Sequence, residues 1–125
     1  MIVYTKKQTM KTQIGSHEDC VKFLAGARNK AYGLAITKNL RVFQRGGGMY
    51  AIRYYHTDIV TYHANGDVTL RNNSYETSST KANINSFSPV SIWQKKYCWY
   101  ITLAGRDILF RDGMRIDPIT QRIVN

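Results

Sequence analysis

Apolar residues along this chain change period three times, from helical spacing to alternation, briefly back again, and then to alternation once more. Cys20, Phe23, Leu24 and Ala27 fall at i, i+3, i+4 and i+7, which gives a helix one apolar stripe. Ser16 precedes them as an N-cap, Glu18 and Asp19 put negative charge on the first turn, and Arg28 and Lys30 put positive charge at the far end. The spacing predicts a helix of about 11–13 residues ending before Gly33. From Tyr32 the pattern shortens. Leu34–Ile36 and Leu40–Phe43 read as short strands, and Met49–Arg53 opens a β-meander. Asp58–His63 alternates, with Val60 and Tyr62 on one face and Ile59, Thr61 and His63 on the other.

Asn65-Gly66 marks a hairpin turn because it tolerates positive φ, and Val68 and Leu70 return beyond it. A two-residue loop would set Val60 opposite Arg71, so the pattern asks for a bulge or a longer loop. Ile84 and Phe87 restore helical spacing over 81–87, capped by Ser79 or Thr80, and Pro89 disfavours helix at Ser88. Alternation resumes at Ile92–Gln94 and Tyr97–Leu103, with a short strand at Ile108–Phe110 between turns. The expected fold is a single α+β domain over 1–125. It has a twisted antiparallel sheet of about five or six strands, one N-terminal helix and a second short helix packed on it. Residues 1–15 and 117–125 are expected to be loosely ordered.

Charge changes the picture most. Eighteen Lys and Arg stand against eight Asp and Glu, a net +10. Residues 1–50 hold nine basic and two acidic side chains, and residues 51–125 hold nine and six. Such a surface attracts phosphate backbones or acidic proteins. No run approaches a membrane span, and the first residues do not read as a signal peptide. Cys20 and Cys98 lie outside any Cys/His cluster and are expected as buried small hydrophobes in a reducing compartment.

Few residues suggest chemistry. Arg45-Gly-Gly-Gly48 is not followed by the Lys-Ser/Thr of a phosphate-binding loop and reads as a flexible turn. His56, Asp58 and His63 form the one compact group with catalytic residue types. On a regular strand, however, His56 and Asp58 share a face that His63 does not. A His56–Asp58 hydrogen bond is the simpler reading, with a hydrolase centred on that pair as the alternative. Ser78-Ser79-Thr80-Lys81 is better explained by helix capping. No pattern calls for a cofactor or metal. Exposed aromatics beside Arg and Lys can stack bases while the cations hold phosphates.

In order along the chain, Phe23-Leu-Ala-Gly26, Ala51-Ile-Arg-Tyr54, Thr57-Asp-Ile-Val-Thr61, Asn65-Gly-Asp-Val-Thr-Leu70, Thr77, Thr80-Lys81 and Ile84-Asn85 form a distinctive set. With Trp99-Tyr100 and Phe110-Arg-Asp-Gly-Met114 they resemble a module widespread among small proteins of tailed bacteriophages, over about residues 20–114. The resemblance implies a viral origin and a host-cytoplasmic setting, and no reaction. Asn73-Ser-Tyr-Glu76 departs from the module's usual Gly-Gly-Trp-Arg, Tyr55-His56 from its His-Asn, and Asn83 from an Arg.

The leading expectation is a non-enzymatic accessory protein that binds DNA, RNA or a ribonucleoprotein. Its basic and aromatic face would comprise Lys22, Arg28, Lys30, Arg41, Arg45, Arg53, Arg71, Tyr75, Lys95 and Lys96. The alternative is a host-directed, anti-defence inhibitor that binds an acidic host protein.

Overall fold

The computed structural model describes residues 14–125. The reading of 1–13 as loosely held lies outside the described residues. Ser16 caps the first helix, α1 (His17–Phe23), by accepting from the Asp19 amide at 3.1 Å, and Cys20 and Leu24 bury the stripe. At seven residues α1 is shorter than its apolar spacing predicts. Leu24 leaves helical geometry just ahead of Gly26, a residue type that costs a helix about 1 kcal/mol. The Ala27 amide then closes a turn on the Leu24 carbonyl. The chain swings along a sheet edge, where the Gln44 amide donates to the Lys30 carbonyl at 2.9 Å.

Five strands follow: β1 (Leu34–Ala35), β2 (Leu40–Gln44), β3 (Tyr50–Tyr54), β4 (Thr57–Tyr62) and β5 (Val68–Leu70). After helix α2 (Ser78–Phe87) come β6 (Ile92–Lys95), β7 (Cys98–Leu103) and β8 (Arg106–Leu109), then β9 (Met114–Asp117) and β10 (Arg122–Ile123). The fold is α+β, with more strands than expected, divided between two antiparallel sheets. A seven-stranded sheet runs β1-β2-β3-β4-β5-β9-β10, and a three-stranded sheet runs β6-β7-β8. The tail is not loose from Asp117: β9 pairs with β5, setting Val68 opposite Ile116, and β10 pairs with β9.

Strand alternation sorts the large sheet into two faces. Val42, Ile52, Val60, Leu70 and Met114 align across five strands, with Tyr50, Tyr62, Val68 and Ile116 beside them. This inner face joins Cys20 and Leu24 of α1, Ile84 and Phe87 of α2, and Ile92, Trp99, Ile101 and Leu103 of the small sheet in one core. Tyr62 donates its hydroxyl to the Phe87 carbonyl, tying α2 to β4. Thr77 caps α2, accepting from the Thr80 amide at 3.2 Å, so the helix starts earlier than a Ser79 or Thr80 cap would place it.

Two register details matter for the site. The β4–β5 loop has three residues, Ala64–Gly66, because His63 bonds back to Asp67, and Val60 thereby meets Leu70 instead of Arg71. Between β3 and β4 the register shifts so that Ile59 is an extra residue: Ile52 faces Val60, yet Arg53 faces Asp58. The bulge carries Asp58 to the outer face, beside Arg53 and away from Val60 and Tyr62.

Candidate nucleic-acid interface

The outer face of the large sheet is built around Phe43. Its ring is 7% exposed, yet it does not belong to the hydrophobic core. Guanidinium groups surround it. The Cζ atoms of Arg45, Arg53 and Arg41 lie 4.5, 4.9 and 5.8 Å from the ring centroid. Alternation explains the set: Arg41 and Phe43 point outward from β2, and Arg53 pairs opposite Arg41 from β3. Arginine suits the arrangement because its flat, weakly hydrated group stacks on a ring while its N–H edge stays available.

Each cation is committed to a different degree. Arg41 also lies over Tyr32, 4.3 Å from that centroid, and donates to the Tyr32 and Gly33 carbonyls at 2.8 and 3.2 Å. Arg45 makes a two-pronged pair with Asp58, at 3.0 and 2.8 Å. Arg53 spends its Nε on the Tyr55 carbonyl, leaving its terminal nitrogens without a partner among the described residues. The Arg71 amide donates to the Ile59 carbonyl at 2.9 Å, while its guanidinium has no hydrogen-bond partner among the described residues.

Three concavities meet at the Tyr55–His56 turn between β3 and β4, and His56 lines all three. The first, about 470 Å³, is walled by Tyr54, Tyr55, Ile59 and Tyr75, with Asn72, Asn73 and the start of α2 supplying polar groups. The second, about 460 Å³, is lined by Arg45, Arg53 and Arg71 with Asp58 and Asp112. A third, about 260 Å³, lies beside Lys38, Arg41 and Phe43.

Of the residues singled out from sequence, Arg41, Arg45, Arg53, Arg71 and Tyr75 come together here. The others do not join them. Lys22 sits on α1 and pairs with Glu18 at 3.7 Å, Arg28 is exposed in the turn beyond, and the Lys30 ammonium donates to the Ala27 carbonyl. Lys95 and Lys96 are exposed on the β6–β7 hairpin of the other sheet. Sequence reasoning passed over Tyr32, Asn72 and Asp112. Tyr32 gave a signal, an aromatic just before the glycine that precedes β1; Asp112, forty residues from its partner Asn72, gave none.

The His-Asp reading is corrected. Asp58 bonds Arg45, not His56, because the Ile59 bulge turns it toward β2. His63 instead bonds Thr69 at 2.8 Å, and burial, then the nearby Arg115 charge, lower its pKa. No cluster of metal-ligating side chains occurs among the described residues. Both cysteines are free. Burial pushes the Cys20 thiol up to about 12, with Asp19 adding to the shift, so it stays protonated and inert. Cys98, expected to be buried, is exposed because it lies on the outer face of β7 opposite Lys95. No helix among the described residues is long and apolar enough to cross a membrane. The chain matches no protein-family model, no curated protein and no solved structure.

Proposed function

We propose that this chain is a small, non-enzymatic bacteriophage accessory protein, acting in the host cytoplasm, that binds nucleic acid through the outer face of its large sheet. The observation that carries the reading is Phe43 enclosed by Arg41, Arg45 and Arg53, with Arg71 beside them and exposed tyrosines at the rim. Guanidiniums held in place on a ring lose little freedom when they meet phosphates, and the neighbouring aromatics offer stacking platforms. A ribonucleoprotein would be engaged through its exposed nucleic-acid strand.

The test is a salt titration with single-stranded DNA and RNA. Three arginines of the face that no carboxylate among the described residues neutralises, Arg41, Arg53 and Arg71, predict a log–log slope of roughly −2 for a single strand. Arg71→Ala reduces that slope by about 1 and leaves the fold intact. Lys95→Ala combined with Lys96→Ala leaves it unchanged. Absence of binding at low salt refutes the proposal, and capture of a single acidic host protein after nuclease treatment would replace it with inhibition.

A further inference from the structure

Resting on that reading, we infer that the tyrosine-walled cavity takes one unstacked base of a single strand, while the arginine cavity beside it takes the adjoining phosphate. The two cavities share His56, Thr57 and Asn73 as a common wall, so they form one site with an apolar half and a cationic half. That division matches a nucleotide unit, a flat ring joined to an anion. About 470 Å³ falls within the range of small-ligand pockets. Tyr55 and Tyr75 supply exposed π-faces, and the Asn72 and Asn73 side chains supply groups able to meet a base edge.

The cavity is held open by its backbone. Tyr55, Asn73 and Ser74 all adopt left-handed conformations, with φ of 54°, 51° and 64°. Such conformations are costly for residues other than glycine and persist only where neighbours enforce them. Here the enforcement is visible. A carboxylate oxygen of Asp112 accepts from the Asn72 and Asn73 amides at 2.8 and 3.2 Å. The buried Asn72 side chain accepts from the Ser74 amide at 2.9 Å, and the Asn72 backbone carbonyl accepts from the Tyr75 amide. Tyr75 is thereby placed on the cavity while its ring stays 62% exposed. An aromatic fixed at the rim and left uncovered is arranged to receive something flat.

The experiment compares two oligonucleotides of equal charge, a thymidine dodecamer and a dodecamer of abasic units. Stacking of one base predicts that the thymidine strand binds about five-fold or more tightly. Tyr75→Ala lowers its affinity to the abasic level, and Tyr75→Phe keeps the preference. Arg71→Ala weakens both strands alike. Equal binding of the two strands, with the salt dependence intact, overturns the base pocket and leaves the backbone-binding proposal standing; binding of neither overturns both. Thymidine monophosphate binding more tightly than the dodecamer overturns the assignment to a strand. An unchanged far-UV spectrum and melting temperature for Tyr75→Ala keep any loss attributable to the ring.

Discussion

The two sheets of this molecule each turn an aromatic, basic face outward, and the two faces are organised in opposite ways. On the large sheet, cations rest on rings: Arg41, Arg45 and Arg53 converge on Phe43, and Arg41 reaches back over Tyr32. On the small sheet, rings rest on rings. Trp93 and Tyr100 stack with centroids 4.9 Å apart, and the Trp93 indole donates to the Thr102 hydroxyl, which donates to Asp107. Lys95 and Lys96 stand apart at the hairpin tip, and neither forms a cation–π contact among the described residues. A planar guanidinium can be placed by stacking and still present hydrogen-bond donors, whereas an ammonium on a flexible stem stays hydrated and mobile. The proximity of Lys and Trp in the sequence therefore does not make a binding face, while Arg and Phe at alternate strand positions do.

The most damaging way to break the arginine face is at Gly33. Its φ is +75°, and a Cβ there would lie 1.9 Å from the Val42 carbonyl oxygen and 3.2 Å from the Phe43 Cα, both backbone atoms that cannot give way. Gly33→Ala is expected to cost about 4 kcal/mol of stability, measured by urea denaturation, because strained backbone and direct collision add together. It also lifts the Tyr32 segment away from Arg41. A variant of unchanged midpoint would show that the segment is not held against β2. Next in size is Phe43→Ala, with an expected loss of about 3 kcal/mol. It removes the ring beneath three guanidiniums, so strand binding falls as well. Trp93→Ala on the other face costs about 1–2 kcal/mol and leaves binding untouched. A shared loss of affinity would erase the distinction between the two faces.

Much of the scaffold was legible in the sequence because its signals were local. Ser16 as a cap, the Cys20/Leu24 stripe, the Asn65-Gly66 turn and the limit set by Pro89 all act within a few residues. What escaped depends on distant partners. β9 and β10 carry few apolar residues between charged ones, and they become strands because β5 offers an open edge some forty residues earlier. For the same reason the sequence could nominate Arg41, Arg45, Arg53 and Arg71 but could not separate them from Lys22 or Lys95. The Ile59 bulge was equally hidden, and it decides which group Asp58 meets: strict alternation sends that carboxylate inward, toward Val60, and one extra residue sends it to Arg45.

The smallest expected effect sharpens the comparison at the far end of the large sheet's outer face, where the side chains titrate. His63 bonds Thr69, and Arg115, paired with Asp67 at 2.9 Å, stands close enough to oppose a second positive charge. Burial and that charge lower the folded-state pKa below the ordinary histidine value, although Asp67 pulls the other way. The unfolded chain then binds the proton more readily than the folded one. Stability from this source is fully present above the ordinary histidine pKa of about 6.5 and is lost as pH falls through it toward the folded value. Urea midpoints should therefore fall modestly between pH 7.5 and pH 5.5. His63→Gln, which keeps a hydrogen-bonding side chain beside Thr69 and cannot take up the proton, should flatten that part of the decline. An equal decline in the variant would place the titration elsewhere. The small sheet's outer face, held by a Trp–Tyr stack and an indole hydrogen bond, carries no histidine, so Trp93→Ala should leave the slope as it is.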